Sequence, residues 1–598
     1  MKKNDLINLK IIDTTLMGMG VGKADGLTVF VSSAVTGDEI VAHILKVKSN
    51  CAFAKIHEII IPSSNRILDS CSSYPKCGGC SFRHIDYNFE LKIKEENVKN
   101  NLKRIGNVDP IFEPITGLAD ANYRNKAQYP VSRDKDGLKI GFFAGHSHRV
   151  IDCCDCSLQP KEFSDAVLKF KDFLIENNIS VYDEELHKGL VRHIYFRKAV
   201  KTEEIMVCLV LNGDSLPECQ VFIEKMKTVF SDNLKSVVLN INKQKTNVIM
   251  GEKCLTVYGS DYITDILCGV KVRISPLSFY QVNHDVAEML YEKACEYVEP
   301  QEKIILDLYC GAGTIGLSMA NKANKVIGVE IIPEAIEDAK FNARQNGFKN
   351  TQFICSDAAK AADRLNDDGI KPDVVIVDPP RKGCDAELIK IISQDFAPER
   401  VVYVSCDPAT LARDCKLFKD YGYDTLKAAT FDMFPRTGHV ETVVLLSRKD
   451  FIDKKRAFFE NAELLSDTFG VVPLMYGSLG LEYLTGENLN SDDIDILIPN
   501  TFLTDRWSEF CSVFEKCGYV LVDEKEHTFE KRGISYSYAQ IEELESFAGI
   551  SVSEIATLEA EGCCFKLLSL EQYLDVYTAS SKDGYRVSVR NKKDAEKN

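Results

Sequence analysis

At 598 residues the chain is well beyond the length at which a single hydrophobic core stops growing, so three or more domains are expected. Its 45% hydrophobic and 27% charged residues match ordinary globular enzymes and exclude disordered or fibrous classes. The net charge of −16 argues against a polyanionic partner, but residues 451–598 hold 15 Lys+Arg against 27 Asp+Glu; that is −12, which leaves only −4 for residues 1–450.

The start of the chain (Met1, Lys2, Lys3, Asn4, Asp5) has no apolar stretch before a cleavage site. No later run approaches the roughly 20 apolar residues of a membrane span. A soluble cytoplasmic protein with no membrane partner is therefore expected. In that setting 21 cysteines read as reduced thiols, some of them metal-binding or catalytic, and not as a disulfide scaffold.

Residues 1–62 alternate apolar and polar positions between Gly-containing turns, as in Gly26-Leu27-Thr28-Val29-Phe30-Val31 and Asp38-Glu39-Ile40-Val41-Ala42-His43-Ile44. The pattern predicts a small closed β-barrel of the kind that holds nucleic acid, with Lys46, Lys48 and Lys55 on its last strands. An ordinary small β-domain with solvated lysines would show the same alternation. Residues 63–270 follow as a mixed α/β insert. They comprise a Cys-rich loop from Cys71 to Cys80, a Lys-rich helix near 88–105, and strands such as Leu190–Phe196 and Ile205–Leu211. Over 271–449 helices and strands alternate. The helix Val286–Val298 precedes strands at Lys303–Leu308, Lys325–Val329, Thr351–Cys355, Val374–Val377 and Val401–Ser405, which predicts a doubly wound, Rossmann-like parallel sheet. Ligands of such sheets bind at the carboxyl ends of the strands.

Three of those ends carry chemistry. Tyr309-Cys310-Gly311-Ala312-Gly313-Thr314-Ile315-Gly316 has the G-x-G-x-x-G spacing of a strand-to-helix turn, and Glu330 closes the next strand where a ribose would be held. A dinucleotide dehydrogenase would show the same features. Asp378-Pro379-Pro380-Arg381 displays a carboxylate and a guanidinium at the ligand edge. Ser405-Cys406-Asp407-Pro408 then puts a thiol at a helix start, where thiolate character is expected. Hydride transfer has no general need of that thiol, whereas methylation of a pyrimidine carbon does. Thiolate addition to C6 makes C5 nucleophilic, and a base must later remove the C5 proton. Glu441 and His439 are both placed for that step.

These residues bear a resemblance that spans about residues 7–448. Ser278-Phe279-Tyr280-Gln281-Val282-Asn283, Asp307-Leu308-Tyr309-Cys310-Gly311, Gly328-Val329-Glu330, Asp378-Pro379-Pro380-Arg381, Ser405-Cys406-Asp407-Pro408 and Pro435-Arg436-Thr437-Gly438-His439-Val440-Glu441 resemble the uracil-5 RNA methyltransferases. The likeness is to the iron–sulfur branch that acts on 23S ribosomal RNA. It implies Cys406 as nucleophile and Glu441 as base, with Gln281, Tyr309, Glu330 and Asp378 around S-adenosyl-L-methionine. Asp407 departs from the pattern, since many relatives have Asn there. The four thiols Cys71, Cys77, Cys80 and Cys156 suit either zinc or a cubane by spacing alone. The resemblance implies a [4Fe–4S] cluster, with Cys156 chosen over Cys153 and Cys154 by its place in Cys156-Ser157-Leu158-Gln159. It also implies that residues 1–62 are a TRAM-like RNA-binding barrel, through Gly18-Met19-Gly20-Val21-Gly22-Lys23. The implied partner is structured RNA, 23S ribosomal RNA ahead of transfer RNA. A non-catalytic RNA-binding or assembly protein is the reading of another class.

Residues 450–598 fall outside that likeness and are expected to form an α+β extension. Met475-Tyr476-Gly477-Ser478 followed by Asp492-Asp493-Ile494-Asp495-Ile496 is similar to the nucleotidyltransferase superfamily, in which paired carboxylates hold Mg²⁺. Asp493 and Asp495 are the implied ligands.

Overall fold

The computed structural model describes all residues except 69–70, 146, 449–453, 487–488, 490, 492, 532–533 and 583–598. Contacts divide the chain into two units, Met1–Ser447 and Arg448–Asn598. The expected boundary at 449/450, and Asp492, lie outside the described residues.

The first unit begins with six strands between Leu6 and Ile61, laid side by side in the order 6–10, 39–47, 51–61, 27–32, 19–24, 13–14. Their alternation buries Leu9, Val29, Val31, Ile40, Ala42, Ile44, Ala52 and Ala54 on one face. Past the first strand, the Ile12 N–H donates to the Val21 carbonyl (2.8 Å), drawing the two ends of the ladder together.

A seven-stranded sheet over residues 126–259 comes next, and the helices Lys161–Glu176 and Cys219–Phe230 cover one of its faces. Phe163, Phe170, Phe173, Phe196, Phe222 and Phe230 interlock there. The opposite face, carrying Tyr195, Met206, Cys208 and Val238, joins the core of the catalytic sheet. Coverage on both faces explains why Ile205–Leu211 is buried without interruption and reads as one apolar run.

The catalytic sheet has eight strands in the order Thr351–Cys355, Lys325–Glu330, Ile304–Leu308, Val374–Val377, Arg400–Ser405, Glu441–Arg448, Tyr423–Phe431, Ile111–Phe112. The first five are parallel to one another, and Glu441–Arg448 runs antiparallel to Arg400–Ser405. Strand order reverses between Ile304–Leu308 and Val374–Val377. Such a switch point opens a crevice beyond the strand ends. The last two catalytic strands, Tyr423–Phe431 and Glu441–Arg448, were not singled out by sequence pattern.

The second unit has its own seven-stranded sheet, in the order 520–523, 528–531, 534–540, 494–498, 474–475, 563–567, 556–560. Its core holds Phe458, Phe510, Phe514, Phe529, Tyr538 and Phe565. Helix Gly477–Thr485 starts with Gly477 at φ 63°, pressed so close to Asp495 that a Cβ there would lie 2.0 Å from the carboxylate oxygen. Only glycine fits such a turn. Ser537 stands opposite Asp495 on the parallel neighbour strand.

Candidate active site and cysteine cluster

The crevice at the switch point is a small cleft of about 50 Å³. Gln281, Tyr309, Gly311 and Asp378 are on its wall, together with Phe279 and Tyr291, which had no assigned role in the sequence. The turn after Leu308 is sharp: Tyr309 has φ 64° and Gly311 φ 53°, and no heavy atom lies within 4 Å of where a Gly311 Cβ would be. The backbone there is open to a ligand. Glu330 is held at the same turn, because one carboxylate oxygen accepts the Gly311 N–H (3.2 Å) and the other the Ile331 and Ile332 N–H groups (2.8 and 3.0 Å). Asp307 anchors the turn from below by accepting the Gly316 N–H at 3.0 Å. Burial pushes both Asp307 and Asp378 up to about 7. The structure therefore lines one crevice with Gln281, Tyr309 and Asp378 and places Glu330 at the turn beside it.

Cys406 follows the strand Arg400–Ser405, half-buried, at the end next to Asp378. Glu441 opens the antiparallel neighbour strand and is 6% exposed. The two are within electrostatic reach of each other, of Asp378 and of Arg381. Burial, then Asp378, push the Glu441 carboxyl up to about 8, and Arg381 opposes the shift. His439, the other candidate base, is exposed and packs edge-on to Phe434.

The expected thiolate at Cys406 is corrected here. Burial, then the Glu441 and Asp378 carboxylates, push the thiol up to about 11, and Arg381 only partly opposes them. The helix start gives the thiol little help: the Asp407 carboxylate accepts the Ala409 and Thr410 N–H groups at 3.0 and 2.9 Å, and the Cys406 N–H lowers the thiol least of all the contributions.

The segment carrying Glu441 is set by side chains from far away in the chain. Lys94 is completely buried between Glu90 (2.6 Å) and Asp432 (2.7 Å). Glu90 also accepts the Arg436 N–H (2.7 Å), and the Arg436 guanidinium reaches Asp120 and the Ile85 carbonyl (2.9 and 2.7 Å). Three carboxylates, Glu90, Asp432 and Asp120, thus face two cations, Lys94 and Arg436, and removal of one member of such a buried group costs about 3–5 kcal/mol. Ser81, next to Cys80, donates its N–H to the Arg436 carbonyl at 2.8 Å, so the cysteine loop touches the same turn. Sequence reasoning missed Glu90, Lys94 and Asp120. Only the i, i+4 spacing of Glu90 and Lys94 hinted at a pair.

Cys71, Cys77, Cys80 and Cys156 are half-buried and converge: Cys77 and Cys80 sense Cys71, and Cys156 senses Cys80. A Gly79 N–H points at the Cys77 sulfur (3.4 Å), and Arg83 faces Cys80. Cys154 faces Asp152 and Asp155, apart from the group, whereas Cys153 hydrogen-bonds Cys156 and lies beside Cys77.

The sheet order and the cleft suit an S-adenosyl-L-methionine-dependent methyltransferase. Residues 86–449 match the model of the tRNA (Uracil-5-)-methyltransferase family. An uncharacterized RNA methyltransferase of Clostridium tetani is 42% identical over 457 residues, 76% of this chain and 98% of that protein. Another, from Clostridium acetobutylicum, is 44% identical over 455 residues, 75% and 98% of the two chains. The crystal structure of Pyrococcus abyssi tRNA (uracil-54, C5)-methyltransferase in complex with S-adenosyl-L-homocysteine superposes with a TM-score of 0.59 at 28% identity, covering 73% of this chain and 99% of that one. The chain belongs to the tRNA (uracil-5-)-methyltransferase family, and its activity is that of an RNA uracil-5 methyltransferase. The family match stops at residue 449.

Proposed function

We propose that Cys406 and Glu441 carry out methylation of uridine C5 in 23S ribosomal RNA, with Gln281, Tyr309, Glu330 and Asp378 holding S-adenosyl-L-methionine. The observation that supports this best is the convergence of Cys406, Glu441, Asp378 and Arg381 at the strand ends that border the cleft. Cys406 Sγ bonds to C6, and the C5=C6 electron pair moves onto C5 and O4. When bound, S-adenosyl-L-methionine supplies an electrophilic methyl group within reach of that carbon. Glu441 then takes the C5 proton, the C5–H electron pair restores C5=C6, and the Sγ–C6 bond breaks with its electron pair returning to the Cys406 sulfur.

Transfer RNA is the second reading, favoured by the Pyrococcus enzyme. That transfer-RNA enzyme aligns with 73% of this chain, so the long region ahead of the catalytic sheet does not separate the two substrates. Mapping 5-methyluridine in the RNA of a deletion strain decides between them. Loss from 23S ribosomal RNA supports the first reading, loss from transfer RNA the second, and loss from neither overturns both.

We further propose that Cys71, Cys77, Cys80 and Cys156 bind a [4Fe–4S] cluster in the cytoplasm, where thiols stay reduced. Such a cluster would fasten the loop whose end bonds the Arg436 carbonyl. Protein purified without oxygen is expected to contain about four irons per chain and to absorb broadly at about 400 nm. Stoichiometric zinc without iron would contradict this.

Residues 450–598 are proposed as a nucleotidyltransferase-like accessory domain, with Asp493 and Asp495 as its Mg²⁺ ligands. Isothermal titration with Mg²⁺ and a nucleoside triphosphate is expected to show binding that is lost on Asp493→Ala and Asp495→Ala. A chain ending at residue 449 is expected to stay soluble and to methylate RNA, binding it more tightly without the −12 charge of the extension. An insoluble or inactive product would make the extension integral to the enzyme.

A further inference from the structure

We propose that Arg124 and Lys126, backed by the buried Arg197, form a binding site for an RNA phosphate beside the target nucleotide, an assignment that rests on the RNA methyltransferase reading above. Strand Lys126–Asp134 pairs antiparallel with Val191–Lys198 in a register that sets Lys126 directly opposite Arg197. Like charges at such a pair repel and destabilise the ladder. Arg124, two residues earlier, adds a third cation within reach of Lys126. Burial, then Arg197 and Arg124, lower the Lys126 ammonium to about 8.

Among the described residues no carboxylate pairs with any of the three. Two other lysines of the same sheet do have carboxylate partners: Lys198 pairs with Glu162 and Glu203 (2.9 and 2.6 Å), and Lys139 with Asp134 (2.5 Å). Arg197 is 1% exposed and its guanidinium is taken up by backbone carbonyls and the Tyr195 ring, so half-buried Arg124 and Lys126 are the two cations a ligand can reach, and holding them without an anion is costly unless a ligand supplies that charge.

Its position says which ligand. The Arg197 guanidinium donates to the Ser275 and Ser278 carbonyls (3.1 and 2.9 Å), at the start of the loop that leads to Gln281. Asn125, between Arg124 and Lys126, donates through its side chain to the Gln281 carbonyl (2.8 Å). On the other side, Tyr123 donates to the Pro435 carbonyl (3.0 Å), and Arg124 is within electrostatic reach of His439. The trio thus lies between the loop bounding the methyl-donor cleft and the turn that carries Glu441. None of the three lines the cleft itself, which argues for a phosphodiester over the carboxylate of the methyl donor. A phosphate fixed here would hold the strand while the target base is turned out of its stack.

The test uses full-length protein, wild type and Lys126→Met and Lys126→Arg variants, with unmodified tRNA and 23S ribosomal RNA transcripts as probes. On the transcript that the wild type methylates, K126M is expected to bind about tenfold more weakly, with the slope of log K against log salt reduced by about one. K126R is expected to retain both. Affinity for S-adenosyl-L-methionine, read by calorimetry, stays unchanged, and K126M melts no lower than wild type because a repulsion has been removed. Unchanged affinity and slope in K126M would overturn the site, as would a loss confined to methyl-donor binding. Wild type that binds and methylates neither transcript would overturn the parent reading and this one with it.

Discussion

Cys406→Ala is expected to lower methyl transfer by about 10⁴-fold or more, because without the thiol no bond to C6 forms and C5 stays a poor nucleophile. RNA binding and S-adenosyl-L-methionine binding should persist, since Gln281, Tyr309 and the Gly311 turn that border the cleft are untouched. Labelled methyl incorporation, filter binding and calorimetry on the same preparation separate these effects. Near-normal turnover by the variant would remove Cys406 from the mechanism.

Glu441→Gln has the second large effect, of a different kind. Addition to C6 and methylation still occur, but the C5 proton has no acceptor. The enzyme stalls as a protein–RNA adduct, visible as a retarded band on a denaturing gel. Only the ionised carboxylate can take that proton, and burial holds Glu441 up to about 8. Wild-type release should therefore slow as pH falls from 9 to 6. The thiol, pushed up to about 11, loses thiolate over the same range, so both groups give the same sign. A rate that rises on acidification, or free turnover by the variant, would contradict this role for Glu441.

The central parallel strands were legible in the sequence because burial on both faces writes them as apolar runs: Val374–Val377, buried at every residue, appears at its expected bounds. The chemistry at their ends was legible too, since Cys406 and Asp378 directly follow such runs. The state of the thiol was not. It depends on Asp407 capping the helix and on Glu441 and Asp378 standing near, and spacing along the chain reports none of these. The support of the 432–441 turn was equally hidden: Lys94 and Asp432 are 338 positions apart, and only the folded chain brings them to 2.7 Å. The strand Glu441–Arg448 follows that irregular turn without a local start signal, which is why its pattern was read as a motif and not as an element.

The central claim is that a bond forms between Cys406 and C6 of a uridine during methylation. Its most direct test is incubation of the wild-type enzyme and S-adenosyl-L-methionine with RNA in which uridine is replaced by 5-fluorouridine. Fluorine on C5 leaves no proton for Glu441 to remove, so the methylated adduct cannot resolve. Mass spectrometry of the digested complex is predicted to find the methylated nucleotide attached to the peptide that contains Cys406. Absence of any adduct, or attachment at another residue, would contradict the account.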